Sequence, residues 1–176
     1  MEDSSSLRIL QDSLLGAPII WKGDYPYFIH PISDGIPRME AKVLRATRDL
    51  IVSIVDWDEI DLVVSVEAMG LPLLAAVGDA TGKPTVVIRK RSYGMEGEVS
   101  VNVSTGYSES TVYINDIKKG EKILIVDDVI STGGTLEPIL HTLQNMGIIL
   151  QDIIIAIEKG SGLERLKNER PEWPIR

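Results

Sequence analysis

The chain has 176 residues, 44% apolar and 25% charged, which fits one globular domain with its own core and room for a small appended part. A formal net charge of -8 excludes the broad basic face of a general nucleic-acid binder, though not a local basic site for a small anion, and the absence of cysteine excludes disulfides and thiolate metal sites. The opening MEDSSS is too polar for a secretory leader and no apolar run approaches the roughly 20 residues that cross a bilayer, so the expectation is a cytoplasmic protein that engages neither membrane nor nucleic acid.

In chain order, residues 6–15 predict a short helix with Leu7, Leu10, Leu14 and Leu15 on one face and Gly16 as its stop. Residues 18–22 and 25–29 predict two short strands around a Gly23-Asp24 turn. Residues 38–55 form the clearest amphipathic helix, with Leu44, Thr47, Ile51, Ile54 and Val55 inward and Arg45, Arg48 and Asp49 outward. The pattern then alternates: strand 62–66, helix 70–80 with Pro72 in its first turn, strand 84–89, strand 122–127, helix 136–146 closed by Gly147, strand 152–157. Strands this continuously apolar are covered on both faces, so the pattern predicts an α/β fold with a parallel sheet and flanking helices. Residues 91–110 break the rhythm with Gly, Ser and Glu and only weak alternation, and predict a long functional loop before a short antiparallel strand at 111–115.

The decisive stretch is ILIVDDVISTGGT at 123–135. An apolar strand runs into Asp127 and Asp128, and a loop of Val129, Ile130, Ser131, Thr132, Gly133, Gly134 and Thr135 leads into a helix N-terminus. Ligands of open α/β sheets bind beyond the carboxyl ends of the strands. Free amides and the helix dipole there favour a phosphate, while paired carboxylates accept hydrogen bonds from hydroxyls. A ribose 5-phosphate matches both ends, and magnesium held mainly by substrate oxygens suits a place near Asp127 and Asp128. Two nearby motifs carry no such reading: the Walker-like run from Gly78 to Pro84 is one residue short and ends in Pro, and His30 and His141 lack ligand-spaced partners.

At all 13 positions residues 123–135 resemble the phosphoribosyl-diphosphate motif of type I phosphoribosyltransferases, and the order of elements from about 38 to 167 is similar to that family. Within it the chain resembles the purine branch, notably the archaeal hypoxanthine/guanine enzymes and their adenine and xanthine relatives. The resemblance implies a core over 38–167 with a lid loop over 91–110, a small hood over 1–37 and a tail over 168–176. It implies that the loop Glu67, Ala68, Met69 and Gly70 holds diphosphate through its amides, with Ala68-Met69 replacing the Ser-Arg of adenine enzymes. Arg89 and Lys90 bind or neutralise diphosphate, within the subunit or across a dimer interface. Val129, Glu158 and Lys159 adjoin the purine; Lys159, having only donors, favours a 6-oxopurine, or the base is read by backbone alone. Phe28 stacks on the purine or simply forms the core of the hood.

The implied reaction joins a purine to phosphoribosyl diphosphate, releasing diphosphate, with magnesium as cofactor and a homodimer as the usual assembly. Asp127, Asp128, Arg89 and Lys90 are the catalytic candidates. Two other readings stand beside it: an adenine-specific enzyme, and a non-enzymatic sensor of phosphoribosyl diphosphate or purine. A sensor acting on transcription needs a DNA-binding segment, and residues 1–37 show no helix-turn-helix pattern.

Overall fold

A computed structural model describes residues 2–23, 25–104 and 109–176. Asp24 of the expected hairpin turn and residues 105–108 of the expected lid lie outside the described residues. The elements are α1 (Glu2–Leu15), β1 (Ile19–Lys22), β2 (Tyr25–Phe28), α2 (Pro31–Asp34), α3 (Ala41–Ile54), β3 (Leu62–Val66), α4 (Gly70–Thr81), β4 (Thr85–Ile88), β5 (Val99–Ser104), β6 (Glu109–Ile114), β7 (Lys122–Ile130), α5 (Leu136–Asn145), β8 (Ile149–Glu158) and α6 (Gly162–Glu169).

Strands β4, β3, β7 and β8 form one parallel sheet in that order. Its central strands are apolar on both sides because both faces are covered. On β7, Ile123 and Ile125 join the layer built with α5, the β5–β6 hairpin and Trp173. Leu124 and Val126 join the opposite layer, built with Ile32, Val43, Ile51, Leu73 and Val77. The α/β class expected from the alternation is therefore the observed one.

Several details differ from the sequence reading. Strand β7 does not stop at Asp127 but continues to Ile130, because β8 runs on beside it and pairs Ile130 with Glu158. Asp127 and Asp128 therefore lie inside the strand. Residues 91–110 are not a loop throughout: β5 pairs antiparallel with β6 from Val99–Ile114 to Ser104–Glu109. Val101 and Val103 of β5 are buried, while Ser100, Asn102 and Ser104 between and beside them are exposed. Helix α6 and the one-turn α2 had no counterpart in the pattern reading. In α3 the inward face is Val43, Ala46, Thr47 and Ile51, while Ile54 stays exposed. The Walker-like run falls at the C-terminal end of α4, where Gly82 closes the helix in the left-handed region, the wrong end of the dipole for a phosphate.

Residues 170–176 pack against β8. The Arg176 and Ile155 amides donate to the carbonyls of Ile153 and Arg176, each at 2.9 Å, and Trp173 and Ile175 are buried. Trp173 also donates from Nε1 to Gln144 Oε1 at 2.8 Å and meets His141 edge-on. Among the described residues no helix is long and apolar enough to cross a membrane. Trp173→Ala should destabilise the fold by about 3–5 kcal/mol, the usual cost of emptying a large aromatic site. Urea denaturation checks this, and a loss below about 1 kcal/mol would mean that the tail is peripheral to the core.

Candidate active site

The carboxyl ends of β3, β7 and β8 set the geometry. Val64 lies level with Ile125, so β3 ends beside Asp127. There the chain turns through Glu67, Ala68 and Met69 into α4. Gly70 opens that helix against the acids: a Cβ on it would sit 2.8 Å from Asp127 Oδ1 and collide with Ser65 Oγ. Only glycine lets the two segments approach this closely.

The two acids are not equivalent. Asp127 lines a cavity of about 560 Å³, whereas Asp128 is 8% exposed and does not line it. The sequence pattern puts both at the ligand-facing end of a strand; Asp128 is instead buried on the side of the hood, within electrostatic reach of Asp34 and Lys159. Burial, then the Asp128 carboxylate, pushes the Asp127 carboxyl well above the ordinary range. Burial likewise pushes Asp128 up to about 6.

Segment 131–136 forms the other wall of the cavity, with Val129, Ile130 and Ile155 beside it. Its carbonyls point away. Ser131 O accepts from the Gly162 amide at 2.9 Å, Thr132 O from Arg165 Nη2 at 3.1 Å, and Gly134 O from the Ser104 amide at 3.1 Å. The amides of Ser131, Thr132, Gly133, Thr135 and Leu136 donate to no acceptor among the described residues, and that of Gly134 makes only a 3.3 Å bond to Thr132 Oγ1. Unpaired amides at the start of α5 make a wall suited to an anion. The glycines serve the fold as much as any ligand. Gly133 has a φ of +82°, and a Cβ on Gly134 would collide with the Ser104 carbonyl of the hairpin.

The third wall belongs to the hood. Pro26, Tyr27 and Phe28 line the cavity together with Lys159. Lys159 Nζ donates to Phe28 O at 2.9 Å and lies over the Tyr27 and Phe28 rings at 4.7 and 5.0 Å from their centroids. Phe28 stacks on His30. Burial lowers the His30 pKa and keeps the ring neutral. Nδ1 accepts from the Ile32 amide and Nε2 meets Ser13 Oγ at 3.0 Å, so His30 ties α2 to α1.

Glu158, expected near the purine, is exposed and does not line the cavity. Nor do Glu67 to Gly70, Arg89 or Lys90, although Gly70 touches Asp127. Arg89 Nε lies 3.2 Å from Glu67 Oε2, which also accepts from the Lys90 amide at 3.0 Å. The Lys90 ammonium makes no ion pair among the described residues. Gly162 and Arg165, which hold the back of the 131–134 segment, were missed by the sequence reading; the only sequence signal was the glycine-bounded start of a short polar helix.

Residues 34–170 match the family model of the phosphoribosyl transferase domain. The chain is a type I phosphoribosyltransferase. Its relatives include the hypoxanthine/guanine phosphoribosyltransferase of Methanohalophilus mahii, 47% identical over 93% of this chain and 85% of the relative. That of Ferroglobus placidus is 48% identical over 92% of this chain and 86% of the relative. In fold, this phosphoribosyltransferase resembles the adenine phosphoribosyltransferase of Saccharomyces cerevisiae solved with adenine. The TM-score is 0.76 at 19% identity, over 97% of this chain and 98% of that one.

The raised carboxyl groups fix the sign of a pH effect on stability. Folded Asp128 holds its proton up to about pH 6, whereas an unfolded carboxyl releases it near 3.8. Its cost to the fold is therefore full above about pH 6 and disappears as pH falls toward 4. Asp128→Asn should raise Tm at pH 7.5, by about 2–4 °C for each kcal/mol relieved, with the gain shrinking toward pH 4. Calorimetry across that range checks it; a Tm lowered at pH 7.5 would show that the carboxylate is stabilising.

Proposed function

We propose that this phosphoribosyltransferase acts in purine salvage, transferring the 5-phosphoribosyl group of phosphoribosyl diphosphate to N9 of hypoxanthine or guanine. The products are the purine nucleotide and diphosphate. The observation that carries the reading is one cavity with unpaired amides along 131–136, a carboxylate at Asp127, and the Lys159 ammonium beside the Tyr27 and Phe28 rings. Those walls match a phosphate, ribose hydroxyls and a purine in that order. The substrate named in common by relatives at nearly half identity agrees with it.

In this reading the amides and hydroxyls of Ser131, Thr132, Gly133, Gly134 and Thr135 hold the 5-phosphate, with Val129 and Ile130 beneath. Asp127 accepts from the ribose hydroxyls, assisted by Asp128. The amides of Glu67, Ala68, Met69 and Gly70, with Arg89 and Lys90, take the diphosphate. Glu67 holds Arg89 until that anion arrives to compete for it. Phe28 stacks on the base, Val129 packs against it, and Lys159 donates to O6. The ammonium has three donors, and one is already given to Phe28 O. Adenine, with an amino donor at that position, is disfavoured. Glu158, exposed at the strand end, keeps at most an outer role.

The C1–O bond breaks with its electron pair leaving on the diphosphate, while the N9 lone pair bonds to C1 from the opposite face and the imidazole N–H proton of the base is released to the departing diphosphate. No protein nucleophile is needed. Orientation and fixed charge supply the acceleration. The described residues include no group of three or more acids or histidines able to cage a metal. Asp127 and Asp128 fit magnesium only as a cation carried in largely on substrate oxygens; when bound it supplies neutralisation of diphosphate charge. The segment over 91–110 covers the substrate and excludes water, residues 1–37 act as the hood, 38–167 as the core and 168–176 as its tail. A cytoplasmic homodimer belongs to the same reading and rests on the family's usual state.

A nucleobase panel with phosphoribosyl diphosphate and magnesium, read as diphosphate release, tests the proposal. Hypoxanthine and guanine should turn over and adenine should not; turnover of adenine alone, or of no base, would defeat it. The Asp127→Asn/Asp128→Asn double variant should lose roughly 10²–10³ in kcat while staying folded. Lys159→Ala should raise KM for hypoxanthine while leaving KM for phosphoribosyl diphosphate unchanged; equal effects on both would remove Lys159 as the reader of O6.

A further inference from the structure

Helix α6 lies behind the 131–134 segment and does not line the cavity. Its Arg165 joins three elements through one planar fork. Nη2 donates to Thr132 O at 3.1 Å and to Glu137 Oε2 at 2.8 Å, and Nη1 donates to Glu169 Oε2 at 2.5 Å. The backbone of Gly133 lies against the same residues: a Cβ there would be 3.2 Å from Arg165 Nη2 and 3.0 Å from Leu166 Cδ1.

Two consequences follow from this placement. A carbonyl and the amide after it point in opposite directions across their shared peptide plane. Holding Thr132 O outward therefore turns the Gly133 amide toward the cavity. Glu137 meanwhile sits in the first turn of α5, whose positive end faces the same cavity. An uncompensated carboxylate there competes with an incoming phosphate for that end and repels it. The guanidinium, shared with Glu169, offsets part of that charge at 2.8 Å.

We infer that Arg165 is a positioning residue for phosphate recognition, aiming the Gly133 amide through Thr132 O and drawing the Glu137 carboxylate back against its own charge so that the start of α5 is left to the ligand. This rests on the phosphoribosyltransferase reading and adds to it a residue that touches no substrate. Lysine in its place keeps the charge but not the fork, so it restores only part of the effect.

The test uses the full chain with Arg165→Met and Arg165→Lys. Inosine monophosphate and hypoxanthine binding are measured by calorimetry, together with the KM values of both substrates and Tm. Arg165→Met should weaken inosine monophosphate and raise KM for phosphoribosyl diphosphate by about tenfold, the loss of one charged hydrogen bond's worth of alignment. Hypoxanthine binding and its KM should stay unchanged, and Arg165→Lys should fall between. Unchanged nucleotide binding in the Met variant overturns the inference. Equal weakening of nucleotide and base also overturns it, since that marks a general loosening. Should the Met variant fail to fold, the Lys variant decides on the same nucleotide-against-base comparison. A wild-type chain that binds no nucleotide defeats the phosphoribosyl reading itself, a different result from a wild type and a variant that bind it equally.

Discussion

The carbonyls of Ser131, Thr132 and Gly134 accept hydrogen bonds from three separate sources: the Gly162 amide, the Arg165 guanidinium and the Ser104 amide. With the acceptors turned outward, the amides of the same peptides are left facing the cavity. Amides without a protein acceptor, lining an open cavity, are free to donate to water or to an anion, and in the proposed reading a bound phosphate takes that place. The surrounding architecture supplies the three anchors. The β5–β6 hairpin delivers Ser104, β8 delivers the turn into α6, and α5 begins where the segment ends. Close approach explains the glycines, since side chains at Gly134 and Gly162 would strike the Ser104 and Ser131 carbonyls.

The acids show the same trade between fold and site. Asp127 and Asp128 sit inside a strand, beside an apolar core, with no cation paired to either among the described salt bridges. Burial raises both carboxyl groups, which marks a standing cost to the folded state. Unfavourable placement of this kind is common where groups await a ligand. The hood is tied down by ordinary means instead: neutral His30 between α1 and α2, and Lys159 bound to Phe28 O and the neighbouring rings. In the proposed reading Lys159 therefore joins base recognition to hood position, because its ammonium also binds Phe28 O.

What could be read in advance was what lies contiguous in the chain. The run from Ile123 to Thr135 carries a strand, two acids and a phosphate-type turn in one stretch, so spacing alone placed them together. The apolar strands and the helices between them were legible because both faces of the sheet are covered. Strand β5 was not: Val99, Val101 and Val103 alternate with Ser100, Asn102 and Ser104, but the run is short and lies among Gly, Ser and Glu residues that read as loop. Helix α6 was not, because only Leu163 and Leu166 among its residues are sizeable and apolar, and its task is to hold a segment distant in sequence. The inequality of Asp127 and Asp128 is also invisible in sequence: adjacent strand residues face opposite sides of a sheet, but which side carries the cavity depends on where Gly70 and the hood pack.

A crystal structure with inosine monophosphate bound would put the arrangement to proof. The phosphate should lie within about 3 Å of the amides from Thr132 to Thr135, with the ribose hydroxyls toward Asp127 and the purine against Phe28 with its O6 beside Lys159. A phosphate seated elsewhere, with those amides still facing water, would contradict the assignment of this wall to the sugar phosphate and everything built on it.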